Sequence, residues 1–123
     1  MIVRALKSKI HRAVVTGADI NYVGSISIDK KLMKAANLLE YEKVQVLNIT
    51  NGNRLSTYVL EAPENSGKIC INGAAARLVN LKDLVIVVSY CSIQHSELKY
   101  HTPSIVHVNQ KNEVLKVLEA TSL

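Results

Sequence analysis

The stretch "KVQVLNITNGNRLSTYVLEA", residues 43–62, decides the fold. Its first part, "KVQVLNIT" (43–50), reads as a short strand, and "RLSTYVLE" (54–61) can return as the partner strand. Between them, Asn51-Gly52 is the pair best suited to a tight type I′ turn, which needs positive φ at both central residues. These residues predict a β-hairpin.

On either side of this hairpin the chain continues mostly as short strands. Residues 10–16 and 22–28 alternate imperfectly, and the turn "APENSGK" (62–68) leads to the short strand "ICIN" (69–72). The run "LVIVVSYCSI" (84–93) is apolar enough to be buried on both faces, and "SIVHV" (104–108) reads as another strand. One helix is expected. Asp29 suits its N-cap, Leu32, Ala35, Ala36 and Leu39 follow at helical spacing, and Asn37 lies near its exit. Many short strands with little helix predict a mainly-β fold, a small barrel with one or two short helices. With no repeat, low-complexity segment or linker, residues 1–123 read as a single barrel domain. The final "KVLEATSL" (116–123) reads as a loose tail.

Composition narrows the function. Hydrophobic residues make up 48% of the chain, yet no apolar run approaches the roughly 18 residues that a bilayer requires. Charges at positions 4, 7, 9 and 12 interrupt any signal-peptide core, so the expectation is a soluble, cytoplasmic protein with no membrane partner. Cys70 and Cys91 have no C-x-x-C spacing and read as small buried apolar residues in a reducing compartment. The net charge of +5 raises nucleic acid as a partner, but none of the five tyrosines sits in a basic cluster and the chain has no Phe or Trp. A modest positive field equally suits a small anionic metabolite. Of the four histidines, 95, 101 and 107 step by six, which matches no zinc motif, and no nucleophile elbow or phosphate-binding glycine loop is present.

A reactive group can arise another way, from "NYVGSISID" (21–29). A serine hydroxyl that follows a glycine can attack the glycine's own carbonyl through a five-membered ring, and a residue without Cβ does not resist the bend this needs. The amide becomes an ester. Loss of the serine α-proton eliminates that ester, cuts the chain after Gly24, and leaves a dehydroalanine that hydrolyses to a pyruvoyl group with release of ammonia. The ketone can then condense with an amine substrate and withdraw electrons from it.

The surrounding motifs make this specific. "SKIHRAVVTGADINYVGSISID" (8–29), "NITNGNRLSTYVLEA" (48–62) and "ICINGAAARLV" (69–79) resemble, in order and spacing, those of the bacterial aspartate 1-decarboxylases, pyruvoyl enzymes that make β-alanine for pantothenate. The resemblance covers roughly residues 1–110. It implies a double-psi β-barrel, self-cleavage between Gly24 and Ser25 into a β chain 1–24 and an α chain 25–123, a pyruvoyl cofactor derived from Ser25, L-aspartate as substrate, and a homotetramer with active sites between subunits. A maturation-promoting protein is a further partner to expect.

Residue by residue, the resemblance makes Ser25 the cofactor precursor and Tyr58 the proton donor. Thr57 would touch substrate and assist cleavage, Gly73, Ala74 and Ala75 would bind substrate through their backbone, and Lys9 and Arg54 would hold its carboxylates. His11, Tyr22 and Asn72 would line the site. The residue types suit these roles: Arg54 can grip one carboxylate in a two-pronged pair while Lys9 acts as a point charge. Leu47 and Leu55 stand where many members of the family carry an aromatic residue, which predicts different packing around the site. Two other classes remain at this level: a basic barrel that binds nucleic acid through Lys9 and Arg54, or an assembly module in which Gly24-Ser25 is only a bulge.

Overall fold

Strands β1 (Ile2–Val14), β2 (Gly17–Asp19) and β3 (Ser25–Asp29) open the fold, and helix α1 (Lys30–Ala35) follows. Next come β4 (Lys43–Asn48), β5 (Arg54–Ala62), β6 (Ile69–Asn72), β7 (Leu84–Gln94), β8 (Ser104–Val108) and β9 (Val114–Leu118). Two 3-10 helices, Gly73–Leu78 and His95–Tyr100, precede β7 and β8. This computed structural model describes residues 1–118.

The strands form one sheet in the order β2-β6-β3-β5-β4-β7-β1-β8-β9. It closes on itself because β1 and β2 are two parts of one run, separated only by Val15 and Thr16. Val15 exchanges backbone hydrogen bonds with Asp83 and Lys82, both at 2.9 Å, and Thr16 donates from its backbone N–H to Ile69 O at 2.8 Å. One run thus pairs with β7 on one side and β6 on the other, which closes the strands from β6 to β7 into a ring, while β8 and β9 extend the sheet from the first part of β1. Asn112 seals the same seam: its side chain accepts from Val14 N at 2.7 Å and donates to Val14 O and Gly67 O, both at 2.8 Å. The fold is a small, mainly-β barrel.

Inward-facing residues of successive strands fill it. Ile10, Ile26, Ile28, Val44, Val46, Val59, Ile69, Ile71, Val85 and Val87 are fully buried, a β-branched core that suits a pleated wall. The Asp29 carboxylate caps α1 and also staples the loop before β6, because Oδ1 accepts from Lys31 N at 2.8 Å and Asn65 N at 3.0 Å while Oδ2 accepts from Gly67 N at 2.9 Å. Asn37 ends the helical stretch at φ 55, leaving Leu39 outside it and exposed.

Several boundaries depart from expectation. "ICIN" and "SIVHV" are strands over the residues expected, but the strand sought at 10–16 begins at Ile2, where Arg4, Lys7 and Lys9 hide the alternation. Pairing with β7, and for Ser8–His11 with β8 as well, holds it extended, and a bulge at Arg12, φ 63, absorbs its bend. The strand expected at 22–28 begins only at Ser25, since the chain turns at 20–21 and bends at 22 and 24. Asn51-Gly52 does not form a two-residue type I′ turn: only Gly52 has positive φ, and residues 49–53 make a longer loop. Asparagine side chains outcompete the tight turn there, with Asn48 Oδ1 accepting from Thr50 N at 2.9 Å and Asn51 Oδ1 accepting from Asn53 N at 2.9 Å. β7 is buried over its first half only, since Tyr90 onward faces out, and Cys91 there is half-buried. Of the tail expected at 116–123, residues 116–118 belong to β9, paired with β8, and the rest lie outside the described residues.

Candidate active site

Gly24 is exposed and the next residue, Ser25, is fully buried at the first position of β3. Antiparallel pairing sets Ser25 opposite Asn72 and Ser27 opposite Cys70, so these four side chains share one face of the β3–β6 ribbon, away from the inward-facing Ile26 and Ile71. Ser25 Oγ donates to Val23 O at 2.9 Å and accepts from Asn72 Nδ2 at 3.0 Å. The serine hydroxyl is thus turned back along its own chain and held from the neighbouring strand.

Asn72 leads directly into Gly73, whose φ of 79 is a conformation that glycine adopts without strain. A Cβ on Gly73 would lie 2.6 Å from Gly24 Cα, 2.9 Å from Gly24 N and 3.4 Å from Tyr22 O. The close packing of Gly24 therefore depends on Gly73. Gly24 itself has open space where a Cβ would point and no left-handed φ, so the backbone that requires a glycine is found at residue 73. Ala74 is exposed and Ala75 half-buried in the 3-10 helix that follows.

On the other side of β3 lies β5, paired in parallel from Ile26↔Val59 onward. One step back in that register are Ser25 and Tyr58, and the alternation of side chains puts them on the same face. Tyr58 is 38% exposed. Thr57, half-buried, belongs to the opposite face with Val59, while Arg54 is exposed at the start of β5, in register with Leu47. Leu55 is half-buried and packs against the core.

Lys9 and His11 sit on β1, which reaches β3 through β7, β4 and β5 one way round the barrel and through β2 and β6 the other. The His11 ring lies 5.1 Å from that of His107 on β8, tilted by 57°. Burial first, then the positive charges of His107, Arg12 and Lys9, holds the His11 pKa below its ordinary value. Among the described residues the ion pairs are Lys7–Glu42, Lys30–Glu61 and Lys34–Glu64, and neither Lys9 nor Arg54 takes part in one. The fold therefore gathers Tyr22, Gly24, Ser25, Asn72 and Gly73 by contact and Tyr58 by register, while the pairings of Lys9 and His11 among the described residues are with β7 and β8.

The geometry also brings in two residues without a role in the sequence reading. Ser27 Oγ accepts from Asn72 Nδ2 at 3.0 Å, and Cys70 Sγ donates to Asn72 Oδ1 at 3.2 Å. The signal for them was the two-residue spacing of 25/27 and 70/72 on paired strands.

A serine hydroxyl aimed back along its chain, beside a glycine with a second glycine packed on it, belongs with the motifs that surround it. A family model described as aspartate decarboxylase matches residues 1–115. The chain belongs to the aspartate decarboxylase family. It is similar to the aspartate 1-decarboxylase of Caldicellulosiruptor saccharolyticus, 56% identical over 117 residues that cover 95% of this chain and 91% of that protein. It is also similar to the aspartate 1-decarboxylase of Campylobacter fetus subsp. fetus, 57% identical over 114 residues covering 93% and 98%, and to that of Clostridium botulinum strain Loch Maree, 55% identical over 117 residues covering 95% and 92%. Membership of this family, over nearly the whole chain, favours an enzyme over the nucleic-acid and assembly alternatives. No helix among the described residues is long and apolar enough to cross a membrane.

Proposed function

We propose that the protein is a cytoplasmic aspartate 1-decarboxylase that cleaves itself between Gly24 and Ser25, derives a pyruvoyl group from Ser25, and converts L-aspartate to β-alanine and carbon dioxide for pantothenate synthesis. The observation that carries this reading is the grip on Ser25: a buried hydroxyl hydrogen-bonded to Val23 O and Asn72 Nδ2, next to an exposed Gly24 against which Gly73 is packed.

In the cleavage, Ser25 Oγ forms a bond to the Gly24 carbonyl carbon, and the Gly24–Ser25 C–N bond breaks as the nitrogen takes up a proton. Loss of the Ser25 α-proton then expels the Gly24 carboxylate from the serine Cβ. Water replaces the freed nitrogen, which leaves as ammonia. The neighbours fit the product, since Asn72 directs an N–H donor at the place where the serine side chain stands. Once formed, the group supplies an electrophilic ketone that accepts electrons from the bound amino acid.

The chain's own residues do the rest. Arg54 and Lys9, free of ion pairs among the described residues, hold the two carboxylates, one by a two-pronged pair and one as a point charge. Tyr58 Oη delivers the proton to the carbon that has lost carbon dioxide, from the same face as Ser25. Thr57 offers a hydroxyl to the oxyanion at Gly24 during cleavage. His11 and Tyr22 line the site. Because no hydrogen bond or strand pairing among the described residues joins Lys9 or His11 to Ser25, a homotetramer with active sites between subunits accounts for their participation: one copy supplies Ser25, Asn72 and Gly73, and its neighbour supplies Lys9. A maturation-promoting protein is compatible with this route and acts on the rate of cleavage.

Intact-mass measurement tests the reading. Two chains, 1–24 and 25–123, whose masses sum to about one unit above the precursor, support it, because water enters and ammonia leaves. A single uncut chain after prolonged incubation with and without cell extract overturns it.

A further inference from the structure

Every hydrogen on the Asn72 amide is committed, although the side chain is only 3% exposed. One Nδ2 hydrogen goes to Ser25 Oγ and the other to Ser27 Oγ, each at 3.0 Å, while Oδ1 accepts from Cys70 Sγ at 3.2 Å. We propose that Cys70 and Ser27 are positioning residues for self-cleavage, which hold the Asn72 amide with its N–H edge on Ser25 Oγ. This rests on Gly24-Ser25 being the bond that is cut.

The orientation of an amide decides which role its neighbours take. As it stands, four hydrogens find acceptors: Ser25 O–H on Val23 O, both Asn72 N–H, and Cys70 S–H. Turning the amide over would aim Oδ1 at Ser25 Oγ. The serine hydrogen would then be drawn off Val23 O and across to β6, away from the peptide it must attack, and Cys70 S–H would lose its acceptor. With Cys70 and Ser27 in place, the turned state gives up two hydrogen bonds. Without Cys70 it gives up only one, and the two orientations come closer; without Ser27 one buried Nδ2 hydrogen is left with no acceptor, and the amide is no longer held toward β3.

Cys70 suits this task. It is 8% exposed, and burial pushes its thiol pKa up, so it remains a protonated donor at neutral pH. Gly17, its partner on β2, makes room for it, since a Cβ there would lie 3.0 Å from Cys70 Sγ. Ser27 lies across the ribbon from Cys70, so the two hold the amide from opposite strands.

The test follows cleavage of freshly purified full-length precursor by intact mass over time, for wild type, Cys70→Ala, Cys70→Ser and Ser27→Ala, with thermal unfolding of each. Cys70→Ala and Ser27→Ala are expected to cleave at least about fivefold more slowly, whereas Cys70→Ser, which keeps a donor, stays within about twofold of wild type. Cleavage of Cys70→Ala at the wild-type rate, or equal slowing in Cys70→Ser, overturns the proposal. Should Cys70→Ala fail to fold, half-buried Ser27 still decides, and a Ser27→Ala chain cleaving at the wild-type rate overturns it as well. A wild-type chain that never cleaves instead overturns the reading of Gly24-Ser25, and this inference with it.

Discussion

Gly73 stands so close to Gly24 that a single methyl on it would lie 2.6 Å from the Gly24 Cα. Gly73→Ala must therefore move Gly24 as well as strain its own φ of 79. Self-cleavage is expected to slow by at least about tenfold, with a loss of roughly 1–3 kcal/mol in stability. Gly52→Ala is the control: its φ is 80, but open space surrounds it, so it should lose stability alone and cleave normally. Intact-mass time courses and urea melts of both variants check the pair.

Making the reactive group and using it should separate at Ser25 and Tyr58. Ser25→Ala removes the attacking hydroxyl, so one uncut, inactive chain is expected. Tyr58→Phe keeps the ring and removes the acidic proton; it should cleave to two chains yet make β-alanine about 10² to 10⁴ times more slowly. Fully processed Tyr58→Phe working at the wild-type rate would remove Tyr58 as the acid.

Arg54 carries the prediction about substrate. Arg54→Ala should cost about 1.5–3 kcal/mol of charge-assisted hydrogen bonding, so that kcat/KM for aspartate falls at least tenfold. Glutamate, one methylene longer, should be a poor substrate. Steady-state kinetics on both amino acids check this, and comparable turnover of the two would contradict it.

Asp29 is 3% exposed and accepts three backbone N–H groups from two segments. Asp29→Ala leaves all three unpaired and should destabilise the fold by about 2–4 kcal/mol. Asp29→Asn, which keeps one oxygen for Lys31 N and Asn65 N, should cost less. Their urea midpoints should rank wild type, Asn, Ala.

His11 sets a pH dependence. Its pKa in the folded chain is lowered from 6.5, chiefly by burial and then by His107, so the unfolded chain binds the proton more readily. Its contribution to stability is therefore complete above 6.5 and is lost as pH falls through 6.5 toward the lowered value. An NMR titration should find the His11 midpoint below 6.5, and His107→Ala should bring it back up.

Much of this protein is written in local sequence. "ICIN" and "SIVHV" are strands because alternation and flanking turn residues act within a few positions, and Asp29 caps α1 because capping needs only a side-chain oxygen two residues before a free N–H. The Gly24-Ser25 pair stands out for the same reason, since the cleavage proposed there needs only one peptide unit. Other features depend on partners far along the chain. Arg4, Lys7 and Lys9 interrupt the pattern of β1 and hide its strand, and only pairing with β7, and for Ser8–His11 with β8, about 70 to 100 residues away, keeps it extended. The loop at 49–53 overrode its Asn-Gly signal because Asn48, Asn51 and Asn53 all donate to Leu78 O, at 3.4, 3.0 and 3.1 Å. The packing of Gly73 on Gly24 and the ring of Ser25, Ser27, Cys70 and Asn72 arise only when β6 docks beside β3. Register, set by barrel closure rather than by neighbours in sequence, decides which side chains meet there.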